Sequence, residues 1–532
     1  MQVAKDQLIS GLTKIEMKNQ KVMKNLWRVS ATNIGFKLVH LTPTRGYATS
    51  QTPIVKSSKL KPSHVTSPWP SIAPQPPSSL ASYIFSNLQD HATLPALVSG
   101  DSSLTYLETW SSSLRFGSSL LDQGIKPGQV IATVLPNKTE LPIVILGATE
   151  VGIAVAPICP SSPTESICRQ LVSSCASAII TTSDLLPKVN KAARYYGKLV
   201  SVIVVDDGND REEFILDKEQ VNYRDMISRD VVTWPNQEQM ERLHSSPAVL
   251  AWCSGAAHAA FSHKNVISAL EQLDQLWKSV ADHVVQNTKE QITTLVTVPA
   301  NRPSSMAAIM FHLKLGHRVV LERKAPTLPA AMDLYKPSVY HVGPVAAQWI
   351  ADSTHTMSKH LTSLRHLAVH PTAAPINSAL IDNLSKNCGP RTLLTQHHSR
   401  PNLFTASHVR FQKPEDFFQL PGFSVPAQLS KVVGSSCGLP IADTECKVVG
   451  PDGATLLTHS VGKLCLRGPQ VMEGIWDRGV VERDTLLETE GWLMTEDSAY
   501  CDDEGNVFLV DVHPFNGKIS FRTCKFNKVS HE

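Results

Sequence analysis

Apolar and polar positions alternate along most of this chain with two different periods. Short β-branched runs, such as residues 130–135 and 178–182, predict buried strands. Residues 263–277 instead repeat apolar side chains every three or four positions, at Val266, Leu270 and Leu273, which predicts an amphipathic helix. Strands that alternate with helices are typical of parallel sheets covered by helices on both faces. The pattern therefore predicts an α/β fold with two doubly wound units in succession.

Residues 141–160 form an apolar run that contains a single charge and is long enough to span a membrane. Glu150 and Gly152 divide the run into an apolar helix and a β-branched strand. This is the pattern of a crossover in a parallel sheet that is buried on both faces. We therefore expect no transmembrane segment here.

Composition adds few constraints to this picture. The chain has 532 residues, of which 42% are hydrophobic and 18% are charged, as in ordinary globular proteins of several domain-sized units. The formal net charge of +3 indicates no particular partner, and no basic stripe interleaved with aromatic residues supports nucleic-acid binding. The ten cysteines form no CxxC pair, and Cys159, Cys253, Cys446 and Cys465 lie in apolar runs. Buried thiols in a reducing compartment are expected.

The first fifty residues resemble a targeting segment. Residues 17–50 contain several Lys and Arg but no Asp or Glu, and they end in RGYATS. This predicts a mitochondrial transit peptide over residues 1–50 and a location in the matrix, with a disordered basic tail as the alternative. Residues 51–78 are rich in Pro and Ser and predict a linker that forms neither a helix nor a central strand.

Residues 247–277 predict a strand, a loop and a helix. The apolar residues 248–252 precede a turn at Ser254 and Gly255, and Ser262 can cap a helix that begins at His263. A loop between a strand and a helix N-terminus can bind a phosphate through its backbone N–H groups. From these residues alone, a Ser-Gly turn before a capped helix more often serves plain connectivity.

The two ends of this loop resemble a known family. CSG is similar to the start of the loop SSGTTGLPKGV in AMP-forming acyl-CoA ligases, the superfamily of coumarate CoA ligases and luciferases. SHKNV is similar to the THRNL segment that follows this loop in the same family. The resemblance implies that Ser254, Gly255 and His258 lie beside nucleotide phosphates. The loop centre differs, since Ala256 and Ala257 replace hydroxyl residues and the lysine has no counterpart. His258 is the remaining polar side chain, and we expect it to carry a partial charge near neutral pH.

Two turns further along are similar to the acyl pocket of that family. They are VPANRPSSM, residues 298–306, and HPTAAP, residues 370–375, each following a predicted strand. The resemblance implies that Arg302, His370, Ala374 and Pro375 border an acyl group at the carboxyl edge of a sheet.

The stretch TQHHSRP stands where the family has YGxTE. In the best register Ser399 replaces the Thr that contacts phosphate, and Arg400 replaces the Glu that helps to hold Mg²⁺. A carboxylate that could bind Mg²⁺ is thus replaced by the positively charged side chain of Arg400. His397 and His398 suggest zinc, but adjacent side chains cannot both point one way and no third ligand is evident, so no metal site is expected.

Residues 434–511 follow the small β-rich subdomain of the family almost element by element. WLMTED ends at Asp497, which matches the aspartate that binds the ribose hydroxyls of AMP, and a carboxylate can accept both hydrogen bonds. After Asp511 the family has an Arg and a lid domain, whereas this chain has Val512 and a short tail, residues 512–532. The lid is therefore expected to be missing.

The resemblance implies the large N-terminal domain of the adenylate-forming ligase fold, with the C-terminal lid domain missing. Its parts are α/β subdomains over residues 79–245 and 246–420 and a small β-barrel-like subdomain over residues 421–511. ATP with Mg²⁺ and CoA are implied by the resemblance alone, and no catalytic residue is assigned. The expected function is an acyl-CoA ligase family protein with impaired adenylation that binds at most an acyl or adenylate ligand or a protein partner. An active mitochondrial ligase and a structural or interaction protein remain alternatives.

Overall fold

A computed structural model of the chain describes residues 61–197, 200–205, 220–229, 237–253, 257–285, 290–322, 328–353, 357–371, 375–412, 436–482, 487, 489–512 and 519–521. These residues belong to one compact unit, Leu60–Glu532. The expected transit peptide, residues 1–50, lies outside the described residues, as do Ser254, Gly255 and Ala374.

The described strands are, in chain order, β1 His64–Thr66, β2 Pro95–Ser99, β3 Ser102–Thr105, β4 Val130–Val134, β5 Ala154–Pro157, β6 Ala178–Thr182, β7 Ser201–Val205, β8 Gln220–Asn222, β9 Pro247–Trp252, β10 His258–Ser262, β11 Thr293–Val296, β12 Arg318–Leu321, β13 Val339–Val342, β14 His366–Val369, β15 Leu393–Ser399, β16 Ala406–Gln412, β17 Leu439–Pro440, β18 Glu445–Val449, β19 Gly462–Arg467, β20 Gly474–Asp477, β21 Val480–Glu482, β22 Leu493–Cys501, β23 Val507–Val512 and β24 Ile519–Phe521.

The described α-helices are α1 Leu80–Ile84, α2 Leu88–His91, α3 Tyr106–Asp122, α4 Glu140–Glu150, α5 Thr164–Ser174, α6 Leu186–Tyr196, α7 Tyr223–Ser228, α8 Gln237–His244, α9 His263–Lys278, α10 Ala281–Val285, α11 Pro303–Lys314, α12 Leu328–Tyr335, α13 Pro344–Asp352 and α14 Ser378–Cys388. Single 3₁₀ turns lie at Ser183–Leu185 and Thr489–Gly491.

These strands form three sheets. The first sheet has the order β21-β20-β10-β9-β5-β4-β6-β7-β8 and is parallel from β9 to β8. The second has the order β17-β16-β15-β14-β13-β11-β12-β2-β3 and is parallel from β15 to β2. The third sheet, β1-β18-β19-β22-β23-β24, is antiparallel throughout. The predicted α/β fold is confirmed.

The apolar run of residues 141–160 folds as the crossover that its sequence predicts. It contains helix α4 and strand β5, and Gly152 between them has a φ of +74°, a left-handed conformation that favours glycine. Strand β5 is buried and parallel to both β4 and β9. Among the described residues, no helix has both the length and the apolar character needed to cross a bilayer.

Helices α3 and α4 pack closely because both carry glycine at their contact. A Cβ atom on Gly117 would lie 2.4 Å from the carbonyl oxygen of Gly147. A Cβ atom on Gly147 would lie 2.2 Å from the carbonyl oxygen of Ser113. Any side chain at either position would push the helices apart, which would disturb the layer that covers the first sheet.

The start of helix α9 is also confirmed. Ser262 caps it, since the Ser262 hydroxyl accepts a hydrogen bond from the Asn265 N–H at 3.2 Å and the Asn265 side chain accepts one from the Ser262 N–H at 2.9 Å. Val266, Leu270 and Leu273 are buried, as their spacing predicts.

Part of the Pro- and Ser-rich segment packs against the third sheet. His64–Thr66 forms edge strand β1 beside β18, and Trp69 is buried. Proline excludes helices and central strands but is tolerated next to an edge strand, so this arrangement agrees with the composition of the segment.

Asn137 joins the first two sheets immediately after strand β4. Its side-chain amide donates to the Val298 carbonyl oxygen at 3.0 Å, and its side-chain oxygen accepts from the Ala300 N–H at 2.8 Å. Asn137 is buried, so both bonds lie in a medium of low dielectric constant where they are strong. They fix the turn that leads to Arg302.

Candidate functional site

A cavity of about 310 Å³ lies where strands of both large sheets end. Cys159 follows β5, Trp252 ends β9, Arg302 precedes α11, His370 follows β14, Ser399 ends β15, and Arg400 comes next. Ligands of open α/β folds bind at this carboxyl edge because loops leave the sheet there in opposite directions. The cavity is therefore the candidate binding site.

The structure brings three of the predicted site residues together in this cavity. Arg302, His370 and Ser399 all line it, although they come from three different turns. Pro375 is buried but is not among the lining residues. Cys159 was expected to be buried and is instead half-buried on the cavity wall, because it lies beyond the end of β5 rather than within it.

The cavity is cationic. Arg302 and Arg400 both line it, and no Asp or Glu does among the described residues. Partial burial lowers the pKa of the Arg302 guanidinium, which nonetheless stays charged at neutral pH because arginine titrates far above it. A guanidinium presents N–H donors in a planar fork that fits carboxylate and phosphate oxygens. The cavity therefore suits an anionic ligand.

Asp497, the expected ribose ligand, is already engaged. It lies on β22 of the third sheet, and its carboxylate forms an ion pair with the guanidinium of Arg400. The Asp497 side chain is 2% exposed and that of Arg400 is 20% exposed, so solvent screens the pair weakly. Arg400, which the resemblance places at the position of a metal-binding glutamate, thus binds the carboxylate that the same resemblance assigns to ribose.

This ion pair has a consequence for nucleotides. Asp497 Oδ1 accepts from the Arg400 guanidinium, so a ribose hydroxyl that used this oxygen would compete with a charge-assisted hydrogen bond. Hydrogen bonds to charged groups contribute about 1.5–3 kcal/mol, so displacing this one would weaken ribose binding by roughly 10- to 150-fold.

The residues at the cavity do not fit Mg²⁺. Magnesium prefers carboxylate oxygens and water, whereas the described lining offers two guanidiniums and uncharged groups. Across the described parts of the chain, no group of three His, Cys, Asp or Glu residues is arranged to hold a metal ion. We therefore assign no role that requires a metal.

His258 behaves differently from its prediction. It lies on β10, within the span expected to be loop, and β10 pairs with β9 in an antiparallel hairpin. Its Nδ1 lies 3.1 Å from the Ser173 hydroxyl, and burial lowers its pKa to about 4. The predicted partial charge near neutral pH is wrong, because His258 is uncharged there. The strand forms since Ala259, Ala260 and Phe261 are completely buried.

A layer of buried histidines lies beside the cavity and was not predicted from the sequence. His341 on β13, His366 on β14 and His397 on β15 lie on one face of the second sheet, as the strand register requires. His312 of α11 and His317 pack against them, and burial lowers the pKa of every one of these rings. The sequence offered one signal: His366 and His370 are four residues apart, a spacing that places both on the same face of an extended segment.

The histidine layer reaches the cavity through His370. His312 Nδ1 lies 2.9 Å from His317 Nδ1, and His312 Nε2 lies 2.8 Å from His341 Nε2. His341 Nδ1 in turn lies 2.8 Å from His370 Nε2. His397 stacks on His370 with ring centroids 5.0 Å apart, while adjacent His398 lies on the opposite face of β15.

Comparison with known proteins gives the site a context. Residues 84–476 match the family described as AMP-binding enzyme. The chain is 25% identical over 448 residues to a 4-coumarate–CoA ligase of Vanilla planifolia, covering 81% of this chain and 75% of that protein. It is 26% identical over 446 residues to 4-coumarate–CoA ligase 3 of Oryza sativa subsp. japonica, covering 81% and 74%.

Solved structures share the fold. A long-chain-fatty-acid-CoA ligase of Archaeoglobus fulgidus superposes with a TM-score of 0.67 at 18% identity, covering 83% of this chain and 85% of that one. The luciferase-like enzyme of the mealworm Zophobas morio has a TM-score of 0.67 at 17% identity, with coverages of 83% and 97%. The family model spans well over half of the chain, and these likenesses agree with it. The chain belongs to the AMP-binding enzyme family.

Proposed function

We propose that this protein binds an organic acid in the cationic cavity and does not convert it to an adenylate. The observation that carries the proposal is the ion pair between Arg400 and Asp497. It neutralises the carboxylate expected to bind ribose and places a cation where the family has a metal-binding carboxylate. Electrostatic groups aimed at the reacting phosphate are the main source of rate enhancement in phosphoryl chemistry, so reversing one of them removes activity.

The size and charge of the cavity support an acid of modest size. Small-molecule sites span about 300–1,000 Å³, and this cavity of 310 Å³ lies at the lower limit. Arg302 offers a fork for a carboxylate, and Trp252 offers an aromatic wall. Relatives named 4-coumarate–CoA ligase support an aromatic acid as the ligand class.

Calorimetry with 4-coumarate and with AMP tests this proposal. We expect saturable binding of 4-coumarate and none of AMP at the same concentrations. Arg302→Gln should weaken 4-coumarate binding at least 10-fold because the guanidinium bonds are lost. Arg242→Gln is the matched control, since Arg242 is an exposed arginine on α8 that pairs with Glu238 away from this cavity. Equal affinity of Arg302→Gln and Arg242→Gln would contradict the assignment.

An active acyl-CoA ligase is the second candidate, and family membership favours it. In that case an adenylate phosphate would draw Arg400 away and release Asp497 for the ribose. This alternative predicts that AMP binds at least as tightly as the acid and that Asp497→Asn weakens AMP but not 4-coumarate. A protein that acts only through interactions with other proteins would bind neither compound.

We also propose a mitochondrial location for the protein. The acid-free basic composition of residues 17–50 and the RGYATS sequence support it. Amino-terminal sequencing of protein isolated from mitochondria should find a start near Ala48. Protein that retains Met1 and fractionates with the cytosol would contradict this proposal.

A further inference from the structure

We propose that four buried histidines form a proton relay that ends in the acid-binding cavity. The chain runs from His317 through His312 and His341 to His370. Its distances, 2.9 Å for the first contact and 2.8 Å for the other two, are those of direct hydrogen bonds between imidazole nitrogens. This inference rests on the proposed function only for the identity of the ligand, because the relay itself is a property of the free protein.

The two ends of the chain have different surroundings. His370 lines the cavity, and its Nδ1 is buried and makes no hydrogen bond within the described residues. At the other end, His317 interacts with His91, which is half-buried. His91 approaches this turn closely, since a Cβ on Gly316 would lie 2.6 Å from its ring. The outer end of the relay therefore lies near a side chain that contacts solvent.

Counting protons gives the relay two states. Four neutral imidazoles carry four N–H groups, and the three internal hydrogen bonds use three of them. In one state every N–H points toward the cavity, so the fourth is on His370 Nδ1. In the other state every N–H points away, so the fourth is on His317 Nε2 and His370 Nδ1 is a bare acceptor. These are the only two arrangements in which four neutral rings satisfy all three hydrogen bonds.

Switching between these states moves one proton without leaving a charge inside. A proton enters at His317 Nε2, each ring passes one proton to the next, and one proton leaves from His370 Nδ1. Every ring is neutral before and after. This matters because burial holds the pKa of all four rings far below the ordinary histidine value, so a trapped imidazolium is strongly disfavoured.

The groups around His370 favour the same neutral mechanism. His397 and His366 face it from β15 and β14, and Arg302 faces it from the turn before α11. All three would repel a positive charge on His370. An anionic ligand beside Arg302 favours the state in which His370 Nδ1 carries its proton and donates to the anion. The cavity can thus present a donor or an acceptor without ionising a buried ring.

Nuclear magnetic resonance of protein with ¹⁵N-labelled histidine rings tests the relay without any ligand. We expect the ring nitrogens of His312, His341 and His370 to show shifts between those of protonated and bare nitrogens, because the tautomers exchange. In His312→Gln, the signals of His341 and His370 should move to the limiting values. Glutamine can occupy both hydrogen-bonding positions, but it does not pass a proton from one terminal atom to the other.

His366→Gln is the matched control. His366 is equally buried in the same layer, but its Nε2 is 2.7 Å from the Thr395 hydroxyl and it lies outside the chain. This variant should leave the averaged shifts unchanged. If His312→Gln does not fold, His317→Gln breaks the chain at its outer end and should have the same effect. Limiting shifts for all four rings in the unmodified protein would overturn the relay.

Adding 4-coumarate separates the relay from the proposed function. If the relay and the acid-binding cavity are both correct, 4-coumarate shifts His370 toward the Nδ1–H tautomer and shifts the tautomer of His317 with it. In His312→Gln, His370 should still respond to the acid, whereas His317 should not. A response confined to His370 in the unmodified protein would overturn the relay while leaving acid binding intact. Averaged shifts that 4-coumarate does not change would support the relay and count against the acid-binding cavity.

Discussion

The first and second sheets share an architecture but differ in what they bury. Strands β4, β6 and β7 of the first sheet are lined almost entirely by Val, Ile, Ala and Thr. Strands β13, β14 and β15 of the second sheet bury His341, His366 and His397, and Arg400 follows directly. These strands of the first sheet are held mainly by apolar burial, and those of the second also by hydrogen bonds between buried imidazoles and their neighbours.

The two sheets therefore place different demands on their side chains. Apolar burial is non-directional and tolerates changes of similar volume. Buried polar groups instead need particular partners, and each one left unsatisfied is destabilising. The second sheet therefore needs particular side chains beside the cavity, whereas strands β4, β6 and β7 of the first sheet mainly need apolar side chains of suitable size.

Breaking the ion pair should have the largest effect on stability. Arg400→Met leaves the Asp497 carboxylate buried and unneutralised, so we expect a loss of about 3 kcal/mol, the lower end of the usual range because Arg400 is partly exposed. Arg400→Met combined with Asp497→Leu removes both charges and should lie within about 1 kcal/mol of the unmodified protein. Urea unfolding measures both. A fully stable single variant would show that the pair contributes nothing.

Removing one histidine from the layer should have the next largest effect. His341→Leu deprives His312 Nε2 and His370 Nε2 of their partner, and we expect a loss of about 2 kcal/mol. Ile180→Val in β6 is the matched change in the first sheet and should cost only about 1 kcal/mol. If urea unfolding shows equal losses of unfolding free energy in His341→Leu and Ile180→Val, the proposed difference between the two sheets is wrong.

The pH dependence of stability should sharpen the contrast further. Burial lowers the pKa of His317 and His366 to about 3, while unfolded histidine titrates near 6.5. Between pH 6.5 and 3 the unfolded chain therefore binds more protons, so the stability present above pH 6.5 is lost as the pH falls. Each histidine contributes a slope of about 1.4 kcal/mol per pH unit in this window.

Replacing His366 by Gln should reduce this slope by about 1.4 kcal/mol per pH unit, the contribution of one histidine proton. Urea midpoints measured between pH 4 and 7 report it directly, and Ile180→Val should leave the slope unchanged. An unaltered slope in His366→Gln would mean that this ring is protonated in the folded protein.

Much of the fold follows from local sequence patterns. The division of residues 141–160 into α4 and β5, and the start of α9 after Ser262, depend on spacing and capping within a few residues. Strand β10 was missed because an alanine-rich run lacks the alternation that marks a half-buried strand. Its burial on both faces comes from neighbours distant in the chain.

The candidate site was predictable only in part for the same reason. Arg302, His370 and Ser399 follow strands, and turns after parallel strands converge at one edge. The ion pair between Arg400 and Asp497 joins residues 97 positions apart, one just after β15 of the second sheet and the other on β22 of the third. The histidine contacts span 29 residues each from His312 to His341 and from His341 to His370. Local periodicity does not specify such pairings.

Acid-dependent exchange of pyrophosphate into ATP tests the central claim most directly, because exchange requires an enzyme-bound adenylate. With 4-coumarate, benzoate or octanoate as the acid, we expect no exchange above that of an acid-free control, since Arg400 holds the Asp497 carboxylate and opposes a metal ion. Exchange that depends on the acid and is lost in Asp497→Asn would show that the ion pair opens for nucleotides, and would contradict the account.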